Sequence, residues 1–222
     1  EVLMLEVLSS ASESADVVDL WERSMLAYGL PCGNYAVRNM ISLMTGEYYD
    51  CGSARRRFRD CVLIEERCGA YRVSSMMVSA LANPHFRSAM DDVLSFARGR
   101  YEAYYKSCGG FVVGKKYTYE DVFRLLNWKK NEVALNVGGY KFDAETMTYP
   151  VFVNYDKSQE INDTIRYEDR FLDPSTLVAI SKSKKNLRSP DVRTAAGSAQ
   201  NGVKMYLFVR KNKDDKESKE FY

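Results

Sequence analysis

The spacing of apolar residues changes near the middle of the chain, and this change constrains the fold more than any single motif. In residues 1–110, apolar side chains recur at intervals of three and four, the period of an amphipathic helix. In residues 111–222 they fall in short β-branched and aromatic runs separated by turn-forming residues. The sequence therefore predicts an α+β chain: a helical unit at 1–110, followed by a small β-rich domain at 111–222 with one prominent helix.

Local signals place the elements of both halves. Four helices are predicted in the first half, at Ala15–Tyr28, Tyr35–Thr45, Ser53–Glu66 and Pro84–Tyr105, the last of them capped by Asn83. Four strands are predicted in the second half, at Phe111–Val113, Tyr140–Phe142, Tyr149–Tyr155 and Lys204–Arg210. Two helices are predicted between these strands, at Tyr119–Asn127 and Ser189–Gln200, and Lys211–Glu220 is predicted to be a solvated hairpin tip.

Composition excludes several classes of protein. A content of 45% hydrophobic and 13% aromatic residues is too apolar for a disordered chain. The single histidine, His85, is too little for a zinc site or a histidine-based triad, and the five cysteines form no Cys-x-x-Cys pair. Without a phosphate-binding Gly-x-x-x-x-Gly-Lys loop or an apolar run of roughly 20 residues, we expect no cofactor in this fragment and no membrane span. An odd number of cysteines without a Cys-x-x-Cys pair is typical of reduced thiols, so we expect a cytoplasmic location.

Charge and aromatic residues mix in the second half. Residues 1–110 carry 12 basic and 14 acidic side chains, whereas residues 111–222 carry 20 and 16. Phosphate contacts are predicted for Lys129, Lys130, Lys182, Lys184 and Lys185. Stacking on a base is predicted for Trp128 or Tyr140, and reading of its edge for Asn127 or Asn131. The alternative is structural: Leu125, Leu126 and Trp128 pack on the sheet, and the lysines are ordinary surface.

The first half has one dense basic run. Arg55, Arg56, Arg57 and Arg59 lie within five residues, and guanidinium forks suit phosphate. The nearby acidic residues Asp60, Glu65 and Glu66 provide the competing interpretation, in which they neutralise the arginines.

Several blocks of the second half resemble a known family. They are Tyr117–Trp128, Lys130–Glu132, Gly138–Tyr140, Pro150–Tyr155, Tyr167–Asp173, Leu207–Val209 and Phe221–Tyr222. In their order and variety they look like the uncharacterised C-terminal domain that follows the motor in a class of bacterial superfamily II DNA/RNA helicases, many of which carry an N-terminal phospholipase-D-like nuclease. The resemblance implies that DNA or RNA is a partner. It also implies an upstream motor in the same chain that uses ATP and Mg²⁺, and it assigns no catalytic residue here.

Absence of an initiator methionine and an opening that reads as mid-helix suggest that the sequence is a piece of such a protein, cut early at its end. The leading hypothesis is a non-catalytic nucleic-acid-binding module of the helicase. One alternative is a protein-interaction module, with an apolar patch that includes Trp21 and Met25. Another is a metal-dependent nuclease that uses Glu168, Asp169 and Asp173, with Lys182 for the phosphate charge.

Overall fold

The fold is taken from a computed structural model that describes residues 2–105, 110–154, 170–179, 181–182, 184–210 and 220–222. It has the predicted α+β class. By its contacts the chain divides into two compact units, Glu1–Val112 with Asn127–Asn131, and Val113–Leu126 with Glu132–Tyr222. Most of the predicted hairpin tip, at 211–219, lies outside the described residues.

The first unit is helical with one hairpin. Its elements are α1 (Val2–Ser10), α2 (Val17–Ala27), α3 (Asn34–Met44), α4 (Gly52–Phe58), β1 (Ile64–Arg67), β2 (Ala70–Val73), α5 (Ser75–Ala82) and α6 (Pro84–Arg100), which continues as a π-helical turn over Tyr101–Tyr105. The predicted caps form: Asn83 Oδ1 accepts the His85 N–H at 2.9 Å, and Pro84 occupies the first turn of α6. The helices α1, α2, α3 and α5 and the β1–β2 hairpin share one apolar core around Leu8, Trp21, Met40, Ile64 and Met77.

The helix predicted over Ser53–Glu66 is wrong beyond Phe58. The chain instead enters the antiparallel hairpin β1–β2, in which Arg67 pairs with Ala70. The two residues between them, Cys68 and Gly69, both have positive φ, at 53° and 77°. Two consecutive left-handed residues make the tight turn whose twist suits a hairpin, so the turn overrides the helical pattern of the residues before it.

The second unit is built on a parallel strand pair. Its elements are α7 (Tyr119–Leu125), α8 (Ala134–Val137), β3 (Thr148–Asn154), β4 (Arg170–Asp173), β5 (Thr176–Val178), α9 (Pro190–Ala196), α10 (Ser198–Asn201) and β6 (Lys204–Arg210). β3 and β6 are in parallel register, with Phe152 opposite Phe208. β6 also pairs with Tyr222 through Val209, and β4 with β5 forms a separate antiparallel hairpin.

Other predictions for the second unit need correction. Phe111–Val113, all described, form no strand, and Tyr140 makes only an isolated bridge to Val151. The helix predicted over Ser189–Gln200 is divided at Gly197 into α9 and α10. The strand predicted at Lys204–Arg210 and the start of α7 at Tyr119 are confirmed.

Aromatic rings fill the core of the second unit. The Phe152 ring centroid lies 4.2 Å from that of Tyr119 and 5.1 Å from those of Phe208 and Phe221. A reciprocal cap at Thr118 and Asp121 begins α7 and orients Tyr119 toward this cluster. Within the described residues, no helix is both long enough and apolar enough to cross a bilayer.

Candidate functional site

Residues 127–131, predicted as part of the second domain, belong to the first unit by their contacts. Asn127 follows the end of α7 with φ of 57°, a left-handed conformation that asparagine tolerates better than most residues. This turn ends α7 and leads the chain to the first unit. The five residues at 127–131, which were predicted to read or stack on a base and to anchor phosphate, therefore belong to a different unit from Tyr140.

Asn131 is a buried hydrogen-bonding centre. Its Oδ1 accepts the backbone N–H of Asp50 at 2.8 Å and that of Cys51 at 3.2 Å, while its Nδ2 donates to the Cys51 carbonyl at 3.1 Å. Its backbone N–H donates to the Tyr48 carbonyl at 2.9 Å. Cys51 is the N-cap residue of α4, and its side chain makes no capping hydrogen bond. Because the Asn131 side chain binds the backbone of Cys51, it attaches residues 127–131 to the start of this helix.

Two predicted base contacts do not agree with this arrangement. Asn131 is 3% exposed, and both its amide oxygen and its amide nitrogen bond the backbone of residues 50 and 51, so it does not read a base edge in this structure. Trp128 is 4% exposed, and its carbonyl accepts a 2.8 Å hydrogen bond from Asn39 Nδ2 in α3. The indole is buried rather than displayed for stacking, which corrects the prediction for Trp128.

A basic surface results from this packing. We define it as Arg55, Arg56, Arg57, Arg59, Lys129 and Lys130. Lys130 Nζ lies 2.6 Å from Asp50 Oδ2, and Arg59 Nη1 lies 3.7 Å from Asp50 Oδ1. Lys129, Arg55 and Arg56 are exposed. The arginine run and the lysine pair were separate features of the sequence, and Asn131 and Asp50 join them.

Asp50 is the acidic residue that sequence reasoning missed. Asp60, Glu65 and Glu66 were the expected neutralising residues, but Glu65 pairs with Arg67 on its own strand. The hydrogen bond from Lys130, together with the charges of Lys130, Arg59 and Arg55, holds the pKa of Asp50 below its ordinary value, against a smaller effect of burial. A carboxylate at this point forms ion pairs with both Lys130 and Arg59.

We expect the Asp50 carboxyl ¹³C signal to titrate with an inflection below the ordinary value of 3.8. A folded-state pKa below that of the unfolded chain means that these ion pairs stabilise the protein above about pH 4, and that this contribution is lost as pH falls through the folded value. Lys130→Gln removes the largest cause, so its inflection should move upward. An inflection at or above 3.8 in the unaltered chain would contradict the arrangement.

The second unit holds a different group of predicted residues, the tyrosine–lysine cluster, defined as Tyr140, Tyr149, Lys182, Lys185 and Asp191. Tyr140 stacks on Tyr149 with centroids 5.6 Å apart, and Lys182 Nζ lies 4.6 Å from the Tyr140 centroid. The Tyr140 hydroxyl donates to Asp191 Oδ2 and accepts the Lys182 N–H, each at 3.3 Å. The ring and the hydroxyl of Tyr140 thus make contacts within the protein, whereas the sequence predicted that the ring would be available to stack on a base.

Electrostatics inside this cluster favour internal pairing. Burial lowers the pKa of the Lys182 ammonium and raises that of the Tyr140 hydroxyl. Burial also acts to raise the pKa of Asp191, but hydrogen bonding to Lys185 and to backbone N–H groups outweighs it and lowers the pKa. Lys185 Nζ is 3.3 Å from Asp191 Oδ2. Lys182 and Lys185 therefore hold the local structure together, and Lys184 is exposed.

The described residues contain no arrangement of side chains that would support the metal-dependent nuclease hypothesis. Asp173 Oδ1 accepts from Ser175 N at 2.8 Å and Ser175 Oγ at 2.7 Å, as a turn-capping carboxylate does. Glu168 and Asp169 lie outside the described residues. Among the residues that are described, no group of three or more His, Cys, Asp or Glu side chains is placed to hold a metal ion.

Comparison with protein families covers nearly the whole chain. Residues 111–222, just over half of it, match the family described as Domain of unknown function (DUF3427). Residues 1–106 match a second family, Domain of unknown function (DUF8090). No curated protein matches the chain.

Proposed function

The chain belongs to the DUF3427 family, whose description states no activity, and we propose that it is an accessory module that binds the phosphate backbone of DNA or RNA. It has no catalytic role of its own in this proposal. The resemblance of its second half to domains that follow helicase motors supports a parent protein that is an ATP-dependent DNA/RNA helicase. ATP and Mg²⁺ belong to that motor.

The observation that carries the proposal is the attachment of Lys129 and Lys130 to the arginine-rich helix α4. Asn131 holds the lysine segment at the N-cap of that helix, and Asp50 binds Lys130 and Arg59. Cations held in fixed positions lose little conformational entropy when they meet phosphate oxygens. Arg55, Arg56 and Lys129 are exposed beside this ordered pair and supply the charge.

The same geometry favours binding that does not depend on base sequence. Trp128 and Asn131 are buried, and the Tyr140 ring and hydroxyl make contacts inside the second unit. The exposed cations of the basic surface, by contrast, are available to a ligand. Phosphate contacts position a protein on nucleic acid without reading bases, so affinity should depend strongly on salt and weakly on sequence.

Fluorescence anisotropy with labelled single-stranded and duplex oligonucleotides, at about 50 mM and about 200 mM salt, tests the proposal. Binding should weaken as salt rises. Lys129→Ala should weaken it several-fold at the lower salt and reduce the slope of log K against log salt by about one. Lys204→Ala, an exposed lysine at the start of β6, is the matched control and should change neither. Absence of binding at low salt overturns the proposal.

A protein-interaction module remains the second candidate because of α6. The patch expected around Trp21 and Met25 is wrong, since Trp21 is buried and Met25 packs against the core. The exposed apolar residues are instead Phe86, Val93 and Phe96, spaced by seven and three along α6. Indifference to oligonucleotides in the titration above would favour this candidate.

A further inference from the structure

A turn in the second unit presents an apolar side chain between two cations. The basic turn is defined as residues 184–189. We propose that it enters the minor groove of duplex nucleic acid, where Leu187 inserts between base pairs while Lys184 and Arg188 bind the flanking phosphates. The inference rests on the proposed function, because it specifies a second contact of the same module and the form of nucleic acid that this contact recognises.

The basic turn is attached to the body of the second unit by neighbouring side chains. Lys182 donates its backbone N–H to the Tyr140 hydroxyl and places its ammonium over the Tyr140 ring. Lys185 donates its backbone N–H to the Lys182 carbonyl at 3.1 Å and pairs through Nζ with Asp191. These anchors use Lys182 and Lys185, two of the five lysines predicted to bind phosphate, and they fix where the turn lies.

Hydrogen bonds within the turn fix its shape. The Asn186 N–H donates to Ser189 Oγ at 3.0 Å, and the Ser189 N–H donates to the Asn186 carbonyl at 2.9 Å. The Arg188 N–H donates to Asn186 Oδ1 at 2.9 Å. Lys184 has φ of 65°, a conformation that lysine seldom adopts without support from its surroundings. The turn is therefore preorganised.

Leu187 stands out from this preorganised turn. Its side chain is 84% exposed, and Lys184 and Arg188 beside it are also exposed. A single exposed leucine is ordinary on a protein surface. A rigidly held leucine flanked by cations has the composition of the wedges that separate base steps from the minor groove, where phosphate contacts offset the cost of unstacking. Single strands offer no paired step to separate, so the proposed wedge requires duplex.

The test measures duplex binding and base unstacking by the full chain. The probe is a duplex of about 30 base pairs carrying 2-aminopurine, whose fluorescence rises when it unstacks, with the same labelled strand alone as the single-stranded probe. We expect Leu187→Ala to abolish the fluorescence rise and weaken duplex binding by about tenfold, because the apolar contact of one leucine is lost. Single-strand affinity should be unchanged.

Leu135→Ala is the matched control, since Leu135 is 91% exposed in the same unit and has Ala134 and Asn136 as neighbours rather than cations. It should behave as the unaltered chain. Equal duplex affinity and equal fluorescence for Leu187→Ala and the unaltered chain overturn the wedge while leaving the proposed function standing. Binding to single strands but not to duplex would also overturn the wedge and leave the proposed function standing. Lack of binding to either probe overturns both the wedge and the proposed function. Lys129→Ala distinguishes the two contacts, because it should lower the affinity for both probes, whereas Leu187→Ala should lower only the affinity for duplex.

Discussion

Replacing Asn131 by alanine is expected to lower the free energy of unfolding of the first unit by about 3 kcal/mol. The change leaves the N–H groups of Asp50 and Cys51 and the Cys51 carbonyl without the partner that Asn131 provides. Both tryptophans, Trp21 and Trp128, belong to this unit and are buried, so tryptophan fluorescence during urea unfolding measures its stability. The midpoint should fall with little change in slope.

The same variant should bind oligonucleotides more weakly, because Lys129 and Lys130 are no longer held beside α4. Asn136→Ala is the matched control: this asparagine is exposed on α8, and its replacement should alter neither stability nor binding appreciably. An Asn131→Ala protein as stable as the unaltered chain would show that the amide does not join the two segments. Normal binding by a destabilised but folded variant would remove the support that this attachment gives to the proposed function.

Replacing Phe152 by alanine should destabilise the second unit by about 4 kcal/mol. The ring is buried at the centre of the aromatic cluster, in contact with Tyr119, Phe208 and Phe221. Its loss removes contacts from both strands of the parallel pair and from α7. Hydrogen exchange of the β6 amides measures the effect, since their hydrogen bonds to β3 open when this unit unfolds.

The control for Phe152 is Phe171→Ala on the β4–β5 hairpin, where the ring is 43% exposed. It should cost about 1 kcal/mol or less. Similar losses for the two variants would mean that Phe152 does not organise the core. Phe152→Leu should lie between Phe152→Ala and the unaltered chain, because it keeps most of the apolar volume but none of the ring contacts.

Local chemistry made part of this fold predictable. Asn83 with Pro84 begins α6, Thr118 with Asp121 begins α7, and the uninterrupted β-forming residues of Lys204–Arg210 form β6. Each depends on residues within a few positions. The hairpin β1–β2 escaped the same reasoning because its left-handed turn uses Cys68, a residue type that does not signal such a turn.

The candidate site was predictable only in pieces. Sequence composition identified the lysine pair at Lys129 and the arginines of α4 as possible phosphate contacts, yet it assigned them to different domains. What joins them is one asparagine side chain that reaches Cys51, 80 positions earlier, and no local pattern encodes that contact. The same limitation affected Trp128 and Tyr140, whose aromatic character suggested stacking on bases. Their burial and partners depend on tertiary structure.

Neither unit is a continuous stretch of chain, and this interleaving sets an order on folding during synthesis. The segment that precedes α4 acquires its hydrogen bonds to Asn131 only after the ribosome has made residues 113–126, which belong to the other unit. The second unit folds later still, because β3 pairs with β6 and Tyr117 forms a bridge with Phe221, and both partners lie near the end of the chain. Pairings so distant in sequence form slowly. Until then the apolar strand at 148–154 is a nascent segment without its partner strand, the kind of segment that is prone to aggregation during folding.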